Sequence, residues 1–314
     1  MEAVVRDSLV VKILFLCCLL LCLCPFMDAA YALLAGIVLS MAFGNPWPQQ
    51  AATASKKLLQ LSVVGLGFGL SLGEVWTTGR ASIIYTFVGI CFTLLLGTAL
   101  GRLFKVEKRT ASLVAFGTAI CGGSAIAAMA PVLKAEDDEI AVSLATVFTL
   151  NAVALLLFPV IGHQLHLSQT IFGTWAGMAI HDTSSVVGAA SVYGAKALAV
   201  GTTVKLSRAL WITPFVLFVS WRSRATGKKA VPLFIIGFIL AAAIRTALPQ
   251  FASQWHWLAL IAKQLLVVTL FLIGAGLSRE LLRKVGVRPL LQGVVLWLLV
   301  GSLTLTCLEL FGVA

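Results

Sequence analysis

Lys205 and Arg208 stand three residues apart in the stretch Ala197–Trp221, which is otherwise apolar and long enough to cross a bilayer. At that spacing they share one face of a helix. An ionisable group near the middle of a span costs a few kcal/mol or more, so it faces protein or water and marks a transport or ligand path. Two cations favour an anion there. The planar donor fork of Arg208 suits an oxyanion, and the hydroxyls of Thr202, Thr203 and Ser207 flank the pair.

Two further clusters interrupt apolar segments. Cys121-Gly122-Gly123-Ser124 places adjacent glycines mid-span, each costing a helix about 1 kcal/mol relative to alanine. A helix broken there exposes backbone N–H groups and a partial positive end, both suited to an anion. Close helix packing through small residues is the competing account. The second cluster, His181-Asp182-Thr183-Ser184-Ser185, holds a carboxylate that needs a partner when buried and a histidine able to exchange a proton near neutral pH. Asn151 adds a mid-span amide, as a polar contact or as interhelical glue. Lys205 neutralising Asp182 explains one cation without a ligand, as does Arg208 bonding backbone carbonyls for the other. Two cations against one carboxylate leave a positive surplus for an anionic substrate to meet.

The elements that must position these residues are membrane helices. Hydrophobic residues make up 60% of the 314 positions and charged residues 11%, which excludes a soluble enzyme with one anchor. Continuous apolar runs exclude a transmembrane barrel, whose strands alternate. The expected class is an all-α polytopic membrane protein with about eleven spans of roughly 20 residues, over 9–25, 28–44, 56–73, 80–103, 109–133, 139–161, 168–194, 197–221, 231–248, 256–278 and 288–312. Residues 1–314 form one integral domain, with 1–27 as an extra N-terminal helix or, alternatively, a cleaved signal over 12–30. Seven cysteines in apolar segments, an odd number, argue against a disulfide framework.

The net charge of +11 sits mostly between spans, where it reads as topology and not as nucleic-acid binding. Basic groups at Arg6/Lys12, Lys56/Lys57, Arg102–Arg109, Arg222–Lys229 and Arg279–Arg288 fall on one side if the count is eleven. That side is expected to be the cytoplasm, with the N-terminus inside and the C-terminus outside. The acidic run Glu136-Asp137-Asp138-Glu139 then lies outside, and the loop of His163 and His166 inside.

Gly67-Phe68-Gly69-Leu70-Ser71 recurs as Gly274-Ala275-Gly276-Leu277-Ser278, an odd number of spans away, so the copies are expected to run in opposite directions. Such inverted repeats are the plan of many secondary transporters. A second echo pairs Gly117-Thr118-Ala119-Ile120 with Gly177-Met178-Ala179-Ile180. Under the eleven-span count these copies are parallel, which an inverted repeat does not predict.

Cys121-Gly122-Gly123-Ser124-Ala125, Ile180-His181-Asp182 with Val186-Val187-Gly188-Ala189-Ala190, and Val204-Lys205-Leu206-Ser207-Arg208-Ala209-Leu210 with Pro214 together resemble the YeiH-type sulfate exporter family. The likeness runs from about Ala30 to the C-terminus, so 28–314 is the family-like region. Many members have Val-Ala-Gln where this chain has Thr183-Ser184-Ser185. The resemblance implies an inverted-repeat transporter of the cation-proton antiporter and anion transporter superfamily. It further implies broken, crossing helices near the midplane and a core moving against a dimerising scaffold, hence a homodimer in the bacterial inner membrane.

The leading expectation is a secondary active transporter that exports a small oxyanion such as sulfate or a sulfonate by alternating access. Lys205 and Arg208 bind the anion in this reading, Ser124, Gly122, Gly123, Thr183 and Ser184 complete its shell, and Asp182 with His181 couples transport to H⁺ or Na⁺. No metal or other cofactor is expected, and no nucleic acid partner. A cation/proton antiporter using Asp182 and Lys205 is the alternative. An embedded enzyme with Ser124, Ser184 or Cys121 as nucleophile and His181 as base is the remote one. Zinc and nucleotide-binding signatures are missing from the sequence, so the chain is read as not an enzyme and not an ATP-driven pump.

Overall fold

The computed structural model describes residues 9–24, 26–27, 29–223, 233–276 and 286–311. They are helical throughout, with no strand among them. In chain order the helices are α1 (Leu9–Leu21), α2 (Ala29–Phe43), α3 (Pro48–Gly67), α4 (Leu72–Leu103), α5 (Lys108–Ala119), α6 (Gly123–Leu133), α7 (Asp137–Gln164), α8 (Gln169–Ala179), α9 (Thr183–Tyr193), α10 (Ala195–Leu210), α11 (Ile212–Ser223), α12 (Leu233–Ala247), α13 (Ala252–Ala275) and α14 (Val287–Phe311). Five stretches are long and apolar enough to cross a membrane: Ile83–Leu103, Asp138–Gln164, Ala195–Val219, Pro249–Ala275 and Val287–Leu310. A sixth arises if Pro48–Gly67 and Leu72–Arg80, bent by 108°, count as one. Among the described residues the expected all-α polytopic class is therefore built from long apolar helices and broken ones.

The chain divides into two compact units, Met1–Trp76 with Pro232–Leu281, and Thr77–Val231 with Leu282–Ala314. In the first unit α3 and α13 lie antiparallel, since Gly65 faces Ala262 and Gly69 faces Ala259. That is the direction expected for the Gly-x-Gly-Leu-Ser echo, although Leu277 and Ser278 lie outside the described residues, as do Arg6, Lys228, Lys229, Arg279, Arg283 and Lys284. The echo extends to packing. Gly274 on α13 sits against the Leu33 carbonyl of α2, and Gly67 on α3 sits 2.5 Å, measured from an added Cβ, from the Phe238 carbonyl of α12. Helix α1 packs on this unit through Phe15, against Trp47 and Phe271, and Gln264 donates to the carbonyls of Cys22 and Cys24.

The second unit is organised around α7, whose 28 residues span about 42 Å at 1.5 Å per residue. Helices α5, α6, α8 and α9 have only 11 or 12 residues each, about 17 Å, too short to cross a hydrocarbon core of roughly 30 Å alone. They pair as re-entrant hairpins. Arg109 at the start of α5 lies 3.7 Å from both Glu136 and Glu139 at the start of α7, so the segment between enters and leaves at the same end. At the other end of α7, the Gln169 side chain accepts from the Lys196 backbone N–H (2.9 Å) and Tyr193 Oη donates to the carbonyls of Gly162 and Leu167. The α8–α9 hairpin thus enters opposite to the α5–α6 hairpin.

This arrangement corrects three expectations. Residues 109–133 and 168–194 are not single crossings. The acidic run at Glu136–Glu139 shares an end with Arg109, because the connection Lys134–Glu136 is a tight turn with Lys134 left-handed (φ 50°) and Glu136 and Glu139 forming a capping box. The loop of His163 and His166 is at the opposite end of α7 from Arg109. Both errors follow from treating an in-and-out hairpin as one span.

The 117–120 and 177–180 echo changes meaning accordingly. Helix α5 runs alongside α7 from its Glu139 end, with Gly117 reaching Val147, while α8 starts from the Gln164 end. The two copies are antiparallel, sixty positions apart, and each is followed by a break and an outgoing helix of 11 residues. Small residues hold the surrounding helices close: Gly101 of α4 faces Ala111, and Gly173 and Gly177 of α8 meet α10 at Ala197, Gly201 and Val204. Gln292 of α14 donates to the carbonyls of Gly97 and Ala111.

Candidate functional site

The two breaks meet beside the middle of α7. A Cβ added at Gly122 would lie 3.0 Å from Asp182 Cβ and 3.5 Å from Val147 Cγ1. Gly122 has φ 66° and ψ −128°, a conformation only glycine adopts without strain, and it closes the first break by donating to the Gly117 carbonyl (2.8 Å). Residues 120–122 and 180–182 therefore form two facing tips, each ending one helix and starting another.

Asp182 caps the second tip. Its carboxylate accepts from the Ser185 N–H (2.9 Å), the Ser184 hydroxyl (2.5 Å), the Ser185 hydroxyl (3.2 Å) and the Asn151 amide (3.2 Å). Asn151 Oδ1 accepts in turn from the Asp182 N–H (3.3 Å), so α7 holds the tip through a reciprocal pair. The first tip has no such cap: Gly122 is the N-cap of α6 and offers no side chain. Ser124 on that first turn is exposed, and Gly123 is half-buried. Thr183, Ser184 and Asp182 are likewise half-buried, so the accessible part of the site is the pair of helix N-termini.

Lys205 and Arg208 sit behind the tips, 0% and 2% exposed. Lys205 Nζ donates to the Ile180 carbonyl (2.6 Å). Arg208 donates to the carbonyls of Ala119 (2.6 Å), Thr118 (3.1 Å) and Met178. Both cations thus cap the carbonyl ends of α5 and α8, where the helix dipole is negative. Lys205 makes no ion pair with Asp182 among the described residues, contrary to the pairing weighed from sequence. The account of Arg208 as a ligand for backbone carbonyls holds, and extends to Lys205.

His181 is 0% exposed, and neither ring nitrogen has a hydrogen-bond partner among the described residues; the Trp297 ring lies 6.5 Å away. Cys121 is buried and free. Thr202 and Thr203 are buried, Thr203 bonding the Ala199 carbonyl and Thr202 Oγ1 having no partner among the described residues. Ser207 donates to the carbonyls of Thr203 and Val204 along its own helix. The structure brings Gly122, Gly123, Ser124, Asn151, His181, Asp182, Thr183, Ser184, Lys205 and Arg208 to one locus, and leaves Thr203 and Ser207 bonded along α10. Ser185, named in the sequence only as part of the polar run, donates to the Asp182 cap through its N–H and hydroxyl. The carbonyls of Thr118, Ala119, Met178 and Ile180 were missed because backbone groups carry no sequence signal. No group of three or more His, Cys, Asp or Glu side chains is placed to hold a metal ion among the described residues.

Residues 9–293 match the family described as Conserved hypothetical protein 698. The UPF0324 membrane protein of Geobacter sulfurreducens is 62% identical over 292 residues, covering 93% of this chain and 94% of the relative. Its counterpart in Bdellovibrio bacteriovorus is 51% identical over 303 residues (94% and 93%), and that of Vibrio parahaemolyticus 47% over 301 (93% and 96%). No solved structure matches the chain. A family match over nine-tenths of the sequence, on an all-helical protein with several membrane-length apolar helices, establishes that this chain belongs to the UPF0324 family of multi-pass membrane proteins.

Proposed function

We propose that the protein is a secondary active transporter that exports a small oxyanion, such as sulfate or a sulfonate, by alternating access. The observation that carries this reading is the meeting of two oppositely entering hairpins at one half-open site that is capped by a carboxylate on one side and uncapped on the other. Asp182 satisfies the N-terminus of α9. The N-terminus of α6, sixty positions earlier, lacks that carboxylate, and a substrate oxyanion would supply it through Gly123, Ser124 and the neighbouring Thr183 and Ser184. Helix N-termini attract anions, and here the two N-termini are balanced by two C-termini. The formal charges of Lys205, Arg208 and Asp182 then leave one positive surplus. Lys205 and Arg208 act in this reading through their field and by fixing the tips, while Asp182 and His181 couple transport to H⁺ or Na⁺.

Several further parts belong to the same reading. The basic end of the second unit faces the cytoplasm of a bacterial inner membrane, the α14 terminus lies across it, and the protein works as a homodimer. The reading includes no enzymatic step: the ring nitrogens of His181 have no hydrogen-bond partner among the described residues, which disfavours a nucleophile–base pair with Ser124, Ser184 or Cys121. A cation/proton antiporter is the second reading, favoured by the half-exposed Asp182 carboxylate that has no cationic partner among the described residues. Purified protein in liposomes separates the two. Uptake of labelled sulfate in exchange for internal sulfate is the expected result; Na⁺-driven proton movement with no response to any oxyanion would replace the anion reading by the cation one.

A further inference from the structure

The base of the α5–α6 hairpin gathers three carboxylates around one guanidinium. Arg109 Nη1 lies 3.7 Å from Glu136 Oε1 and 3.7 Å from Glu139 Oε2. Glu107, the N-cap residue of α5, brings its side chain within hydrogen-bond reach of the Glu139 carboxylate. Glu139 is the enclosed member, 7% exposed, whereas Glu107 and Glu136 are open to water. Its Oε2 accepts from the Glu136 N–H (2.6 Å), and its buried Oε1 has no hydrogen-bond partner among the described residues. A buried polar atom left bare is costly. An ionised Glu107 offers this carboxylate no donor, while a protonated Glu107 does. Two like charges this close also favour the uptake of one proton. The other charged side chains nearby in sequence, Arg102, Lys105, Lys108, Lys134, Asp138 and Arg288, are exposed, and α14 meets α5 through the uncharged Gln292.

We propose that Glu107 and Glu139 hold one proton between them, and that this proton latches the start of α5 to the start of α7, so that the base of the first hairpin loosens as pH rises. The proton comes from water at the exposed Glu107. It forms one O–H bond on a carboxylate oxygen, and its loss leaves Arg109 facing three negative charges. One turn further in, Ser143 Oγ bonds the Glu139 carbonyl (2.7 Å) and lies 3.4 Å from the Thr110 carbonyl, so the same two helices are joined there without a titrating group. The second hairpin is closed at its base by the Gln169 amide and the Tyr193 phenol, so the latch acts on the first alone. The hydrogen bond to Glu139, and then that group's charge, hold the Glu107 carboxyl above its ordinary value of 4.5. A group raised on folding contributes stability that is complete below its unfolded value and is lost as pH rises through its folded value. The latch is independent of which ion the protein transports.

Thermal unfolding of purified protein across pH, for wild type and Glu107→Gln, tests it. The glutamine amide donates at every pH, as the glutamate does only while protonated. The two midpoints are expected to coincide below about pH 4 and to separate by a few degrees above the ordinary glutamate range, with the variant the more stable. Glu136→Gln removes the other exposed carboxylate and is expected to show no such gain. A difference between Glu107→Gln and wild type that is constant, or that grows towards low pH, overturns the proposal, as does an equal gain in Glu136→Gln. Should Glu107→Gln not be recovered, hydrogen exchange in the wild type, corrected for its intrinsic pH dependence, decides. More frequent opening of the first two turns of α5 and α7 at neutral than at acid pH supports the latch, and equal or rarer opening overturns it.

Discussion

The α5–α6 and α8–α9 hairpins share length, spacing and the Gly-x-Ala-Ile sequence that leads into each break, yet differ at the residue that starts the outgoing helix. The first has Gly122, with positive φ and no side chain; the second has Asp182, whose carboxylate accepts from four neighbouring donors. One tip is completed from within and the other is left open. A symmetric pair of tips, both capped, would form a rigid structural knot. Asymmetry gives the knot one N-terminus without a side-chain cap beside one capped by a fixed carboxylate, with Lys205 and Arg208 behind both.

The largest effect that could break this comparison comes from Arg208, which bonds carbonyls of both hairpins, whereas Lys205 bonds one. Arg208→Ala removes three charge-assisted hydrogen bonds, each worth about 1.5–3 kcal/mol, and leaves buried carbonyls bare. It is expected to abolish recovery of monodisperse protein in size-exclusion chromatography, while Lys205→Ala, losing one such bond, remains recoverable with a lowered thermal midpoint. Equal severity would mean that Arg208 does not join the tips in the way its bonds indicate.

Gly122→Ala comes next. A Cβ there meets Asp182 Cβ at 3.0 Å, and a non-glycine residue at φ 66°, ψ −128° costs about 1–3 kcal/mol. Stability should fall by that amount in thermal unfolding. Gly123→Ala, which lies inside α6 against the flexible ends of Phe148 and Leu144, should cost less. If the two substitutions are equivalent, the first tip does not depend on its backbone conformation and the contrast with Asp182 loses its basis.

How much of this was legible in the sequence follows from what each residue type can signal. Paired glycines at Gly122–Gly123 and the polar run from His181 to Ser185 marked both breaks, because residues unfavourable in a helix interior or in lipid have few other reasons to sit mid-segment. The direction of the chain after each break was not legible. A broken helix that continues and one that turns back have the same length, about 25 apolar residues, and the same composition. Contacts between distant positions distinguish them, such as Arg109 with Glu136 and Tyr193 with Gly162, and charge counting put Arg109 and Glu136 on opposite sides. The echo at Gly117 and Gly177 held the answer: taken as a true inverted repeat, it would have required one hairpin to reverse. Lys205 and Arg208 stood out as costly charges in an apolar segment, but their partners are carbonyls, and position along a chain does not reveal which backbone oxygens lose their helical partners.

The smallest expected change in stability, and the sharpest test of the capped tip, is Asp182→Asn. An asparagine side chain can still accept from the Ser185 N–H, and asparagine caps helices about as well as aspartate, so stability should change by less than about 1 kcal/mol. The charge is lost, however, and with it the only ionisable acid at the tips. If Asp182 is the coupling carboxylate, the pH dependence of sulfate exchange in liposomes should flatten while exchange itself persists. If it is only a cap, the pH profile should match that of the wild type. Ser124→Ala on the open tip should do the reverse, weakening sulfate affinity with the pH profile intact, because Ser124 is exposed and bears no titrating group. Opposite responses of the two tips would separate coupling from substrate binding, and identical responses would show that the two hairpins are functionally equivalent despite their different N-caps.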